Sequence, residues 1–102
     1  MRGGETMKVQ NMTSAKGNKI ANQFIITDNR LHTTYFQSYD SIIVMVEDNS
    51  FDKHNQDKVY LDRNTWDYSN TTGRYRNQFL GETKKETEKK IESGEYILTD
   101  LN

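Results

Sequence analysis

The chain is predicted to fold as a single small α+β domain: an antiparallel sheet of four to six strands, with two helices from its C-terminal half packed on one face. Three observations carry this expectation. Four segments between residues 7 and 47 alternate or run apolar at strand length, two capped helical patterns follow between residues 69 and 94, and a last strand-like segment closes the chain. With 102 residues there is room for one modest core and no second one. Hydrophobic residues make up 32% of the chain and mean hydropathy is -1.01, which is polar for a globular domain. One tryptophan, six tyrosines, four phenylalanines and the run Ile42-Ile43-Val44-Met45-Val46 nevertheless argue against a disordered chain.

Residues 1–6 read as a loose, glycine-containing leader, which leaves 7–102 as the domain. Met7 to Met12 alternates as a first strand, and Ser14-Ala15-Lys16-Gly17-Asn18 supplies the turn after it. Ile20 to Thr27 is the second strand, with Ile20, Asn22, Phe24 and Ile26 expected on one face. Asp28-Asn29-Arg30 turns the chain into a third strand, Leu31 to Gln37. A tight link at Ser38-Tyr39-Asp40, with a short helix starting at Ser38 as its rival, leads to Ser41–Glu47, an apolar run that reads as a strand buried on both faces. These strands are expected to pair in sequence as an antiparallel meander.

Asp48 to Asp57 is a polar loop holding Asp48, Asp52, His54 and Asp57. Their spacing lacks the glycine at the sixth and the glutamate at the twelfth position of a calcium loop, so a solvated loop is expected and no metal. Val59-Tyr60-Leu61 is a short strand.

It runs into the densest stretch of the chain, Asp62 to Gly81. Ser69 or Asn70 is suited to cap a helix from about Thr71 to Leu80, and Gly81 to end it. Tyr75, Phe79 and, less directly, Thr72 share one face of that helix, with Arg74, Asn77 and Gln78 pointing elsewhere. Trp66, Tyr68 and Tyr75 either close the small core or, with Tyr75 between Arg74 and Arg76 beside free helix amides, line a phosphate or anion site. Thr83-Lys84-Lys85-Glu86 is a capping box opening a charged second helix that ends at Gly94. Glu95 to Leu101 closes the chain as a strand, with Tyr96 and Leu98 on one side and Ile97 on the other.

The segments N-M-T-S, F-Q-S-Y and W-D-Y-S-N-T-T, read with the following G-R-Y-R-N-Q-F-L, resemble a group of small proteins encoded by bacteriophages, prophages and plasmids. The similarity spans roughly residues 8–102. It implies a mobile-element setting and a bacterial cytoplasm, and it brings no catalytic residues, since that group has no assigned activity.

Composition removes several function classes. The chain has no cysteine, so disulfides, thiolate-bound zinc and thiol catalysis are excluded. No apolar stretch reaches the roughly 18 residues that span a bilayer, and Met1-Arg2-Gly3-Gly4 lacks a signal-peptide core, so a soluble, unexported protein is expected. There is no G-x-S-x-G elbow and no phosphate loop, and neither His32 nor His54 has a visible nucleophile partner. The expectation is a protein that is not an enzyme and needs no cofactor.

Net charge is -1, yet residues 1–32 hold five basic against two acidic groups and residues 40–67 three against seven. Two roles from different classes fit. In the first, the chain is an inhibitor or adaptor that binds a host or phage protein, such as a component of a bacterial defence system, its acidic region able to mimic nucleic acid. In the second, it is an accessory module for single-stranded nucleic acid, in which Lys8, Lys16, Lys19, Arg30, Arg74 and Arg76 hold the backbone while Tyr75, with Tyr35 and Phe36, stacks on bases. The first is the preferred expectation, and oligomeric state is left open.

Overall fold

A computed structural model describes residues 7–48 and 57–102. Five strands, β1 (Met7–Thr13), β2 (Lys19–Asp28), β3 (Thr33–Ser38), β4 (Ser41–Glu47) and β5 (Lys58–Asp62), precede two helices, α1 (Asn70–Leu80) and α2 (Lys84–Ser93), and a last strand, β6 (Tyr96–Thr99). The six strands form one sheet in sequence order. The α+β expectation therefore holds, with two strand-level differences. β1 to β5 are antiparallel neighbours, but β6 pairs with β5 in parallel. The two helices carry the chain back across the sheet, so β6 starts at the end where β5 started, as a crossover connection requires.

The second difference lies at turns. Leu31 and His32 are in the β2–β3 turn rather than in a strand, with His32 at a φ of 53°, and Tyr39 at 58° closes the β3–β4 link as a tight turn, not a helix. Asn22 also takes a left-handed φ of 64°, which breaks the alternation of β2. Its consequence is that Ile20 packs against the core while Phe24 and Ile26 fall on the other face, against the expectation of one shared face.

Local chemistry sets the helices. The Ser69 side chain accepts from the Thr72 amide, and Gly81, left-handed at φ 70°, ends α1 by donating its N–H to the Asn77 carbonyl. Thr83 and Glu86 form the reciprocal capping box of α2, and Gly94 ends it at φ 86°.

Both helices cover one face. Phe36 of β3 stacks on Phe79 of α1 at 5.7 Å, and the Tyr96 hydroxyl of β6 donates to Glu82 at the head of α2 over 2.9 Å. Between them the core gathers Met12, Phe36, Ile43, Val44, Leu61 and Tyr96, with Trp66, Tyr75, Phe79, Leu80 and Ile91 packed against it from the helical side.

The end of the chain is tied to the sheet. The Asp62 carboxylate accepts from the Leu101, Asn64 and Thr65 amides at 2.8–3.1 Å and from the Thr65 hydroxyl. Asn102 uses its side-chain amide as a strand would use its backbone, accepting from the Ile42 N–H and donating to the Ile42 carbonyl. Burial alone pushes the Asp62 carboxyl up, but these donors outweigh it and hold the group below its ordinary value.

Candidate functional site

The six residues expected to bind a partner do not form one surface. Lys16 lies in the exposed β1–β2 turn and Lys19 opens β2, whereas Arg30 lies in the turn at the far end of β2. A ten-residue strand separates the two turns, about 30 Å. Gln78 donates to the Thr13 carbonyl at 3.0 Å, which seats the last half of α1 beside the Lys16 turn, and exposed Arg74 lies one helical turn earlier on the same side. Lys16, Lys19 and Arg74 thus share one end of the sheet. Tyr75 is half-buried against the core with the Arg74 guanidinium 5.7 Å from its ring centre.

Arg76 belongs to the interior instead. It is 1% exposed, because Thr72, Arg76 and Leu80 recur every four residues along the stripe of α1 that faces the sheet. Its guanidinium donates to the Trp66 carbonyl and the Asn77 side chain, meets Asp67 at 3.5 Å and lies 5.1 Å from the Trp66 ring centre. The arginine pins the loop between β5 and α1, and its charge is not offered to a partner. The Thr72–Arg76–Leu80 spacing was the sequence signal for this role.

A cavity of about 320 Å³ opens beside the N-terminus of α1, lined among others by Ser69, Asn70, Arg74, Arg76 and Lys84. Asp67 lines it too and accepts from Lys84 at 2.8 Å as well as meeting Arg76. That contact raises the Lys84 pKa. Two of the three cations at the cavity, Arg76 and Lys84, share the Asp67 carboxylate, while Arg74 and the half-exposed Lys84 both reach solvent. Gly73 sits over this arrangement, and a Cβ added to it would meet the Arg76 guanidinium at an ordinary 3.6 Å. Gly73→Ala is therefore expected to stabilise the fold by about 0.5–1 kcal/mol through helix propensity, read as a melting point higher by a few degrees. An unchanged or lower melting point would show that the guanidinium cannot accommodate the methyl group.

A further charged cluster centres on Glu82. Its side chain is 6% exposed and accepts from Lys90 at 2.7 Å, Thr87 at 2.6 Å and Tyr96 at 2.9 Å. Burial opposes ionisation, but the three donors win and hold the carboxyl below its ordinary value. The cluster clamps α2 to β6.

The surface that sequence reading missed is the sheet face turned away from the helices. Tyr35 and Ile97 neighbour Phe36 and Tyr96, which point to the helices, so alternation turns them to the opposite side. Cross-strand register then places Val9, Ile26, Tyr35, Met45, Tyr60 and Ile97 in a single row crossing all six strands. None of these six belongs to the core cluster or packs against it. Val9 is 60% and Ile97 42% exposed at the two ends, while the central four are half-buried by their own neighbours. A solvated sheet face normally carries polar residues at these positions. The signal was present as apolar doublets, Ile25-Ile26, Tyr35-Phe36, Val44-Met45, Tyr60-Leu61 and Ile97-Leu98, each supplying one residue to either face.

Asp52 and His54 of the polar loop lie outside the described residues. No helix among the described residues is long and apolar enough to cross a membrane. Residues 7–95 match the family of unknown function DUF8033, so the chain belongs to that family. No curated protein and no solved structure matches it.

Proposed function

We propose that this member of DUF8033 is a non-enzymatic binding protein that docks another protein on the helix-free face of its sheet. The observation that carries the reading is the apolar row across six strands. A continuous apolar patch rimmed by polar groups marks an interaction surface more often than a solvated one, and aromatic and methionine side chains such as Tyr35, Met45 and Tyr60 are the types enriched at interface centres. The resemblance to mobile-element proteins supplies the setting: the partner is a host or phage protein in a bacterial cytoplasm, such as a component of a defence system.

Affinity capture of the tagged protein from bacterial lysate, with and without nuclease, tests this against a Met45→Lys variant. The expected outcome is one stoichiometric protein that survives nuclease with the native chain and is lost at least tenfold with the variant. A partner retained in full by Met45→Lys would remove the sheet face from the interaction.

A second reading rests on a different observation. Lys16, Lys19 and Arg74 share one end of the sheet with the half-exposed rings of Tyr39 and Tyr68, a combination suited to single-stranded nucleic acid. It requires captured partners that vanish on nuclease treatment and a binding constant that falls steeply with salt.

A further inference from the structure

We propose that, when no other partner is present, a second copy of this chain occupies the helix-free face, giving a dimer with the two sheets packed face to face. The inference rests on the reading of that face as a docking surface and names one occupant for it.

Symmetry is the first argument. A two-fold axis lying in the interface, parallel to the strands and midway between β3 and β4, reverses the order of the row on the facing copy. Tyr35 then meets Met45, Ile26 meets Tyr60 and Val9 meets Ile97, so each contact pairs a bulky or rigid side chain with a smaller or more flexible one. Two-fold interfaces need this kind of self-complementarity. Tyr35 against Met45 is also a sulfur–aromatic contact, and packed sheets keep their strands within about 30° of alignment.

Charge is the second argument. The row below the apolar one runs Met7, Asp28, Thr33, Glu47 and Lys58 in register. The same axis sets exposed Lys58 of one copy over the β2–β3 turn of the other, where the Asp28 carboxylate, only 7% exposed, already accepts from the Arg30 and Leu31 amides, and it sets Glu47 over Thr33. The row therefore brings no like charges together, and the negative Asp28 lies beneath the partner's Lys58.

Area decides the strength. Five inter-strand steps make the face about 24 Å wide, so covering the apolar row and its flanks buries about 500 Å² per copy, against about 800 Å² per partner in standard stable complexes. The dimer should therefore be a weak one that dissociates on dilution, leaving the face open to a partner that covers more of it.

Sedimentation velocity from micromolar to millimolar concentration tests the proposal. The mass is expected to rise from the 12.0 kDa of one chain toward twice that value, and Met45→Lys, with an unchanged melting point, should weaken association at least tenfold. Ile97→Lys, at the rim of the row, provides a second variant. Because the chain has no cysteine, Ile26→Cys and Tyr60→Cys introduce unique thiols. Mixed together, they should be joined by a short bis-maleimide far more than either variant with itself.

A mass that stays monomeric at millimolar concentration overturns the dimer and leaves the capture result on Met45→Lys untouched. Association unaffected by either lysine variant, or self-linking that exceeds cross-linking, overturns it as well. The two readings therefore fail separately.

Discussion

Arg76→Ala is expected to cost about 3–4 kcal/mol of folding stability, which for a domain of this size lowers the melting point by about 15–20 °C. Three effects add. The Trp66 carbonyl and the Asn77 side chain lose their charged donor, the Trp66 ring loses the guanidinium beneath it, and a void opens under Gly73. Arg76→Lys keeps the charge but not the planar fork, so it should recover less than half of the loss. Asp67→Asn should cost far less, since its contact with the arginine is long and Asp67 is itself exposed. Thermal melts of the three variants check the order. A fall of under about 5 °C for Arg76→Ala would show that the side chain is not a structural post.

Glu82→Gln is the second large effect, expected to cost about 2–3 kcal/mol, because one amide oxygen replaces two carboxylate oxygens that serve three donors. Its signature is in the pH dependence. The folded carboxyl sits below its ordinary 4.5, so its contribution is complete above that value and is lost as pH falls through the lower folded one. On the alkaline side, burial and Glu82 push the Tyr96 phenol up to about 12, and the hydrogen bond that Lys90 donates to Glu82 raises the lysine. Both groups hold their protons in the fold after the unfolded chain has released them. That stabilisation is complete below about pH 10; the Tyr96 part disappears as pH climbs through about 12 and the Lys90 part at still higher pH. Native stability measured by urea unfolding should be level at neutral pH and fall at both extremes. The glutamine variant should be less stable in the middle and flatter on both sides, apart from the acid loss that Asp62 still contributes. A variant curve parallel to the native one would show that the clamp does not titrate.

Sequence legibility followed the range of the interactions involved. Ser69, Gly81, Thr83 with Glu86, and Gly94 were readable because a cap is made between residues no more than four positions apart. The meander was readable for a similar reason, as neighbouring strands pair through short turns. The direction of β6 was not, because it depends on how two helices cross the sheet rather than on any property of Tyr96 to Thr99.

Arg76 was misjudged as a surface cation because residue type outweighed helical spacing. Lys16, Lys19 and Arg74 did come together at one end, while Arg30 was separated from them by the length of β2. The helix-free face was overlooked for a further reason. Ser41–Glu47 was read as a strand buried on both faces, whereas Met45 is only half-buried and packs against no part of the core.

The parallel docking of β6 also fixes an order of assembly. β1 to β4 are linked by short turns and can zip up from contacts close in sequence, whereas Val59 meets Tyr96 only after α1 and α2 have formed a path between them. Closing that long loop costs chain entropy before any ladder bond repays it. The crossover therefore belongs to the late phase of folding, and until it closes β5 offers an open edge to any strand that reaches it first.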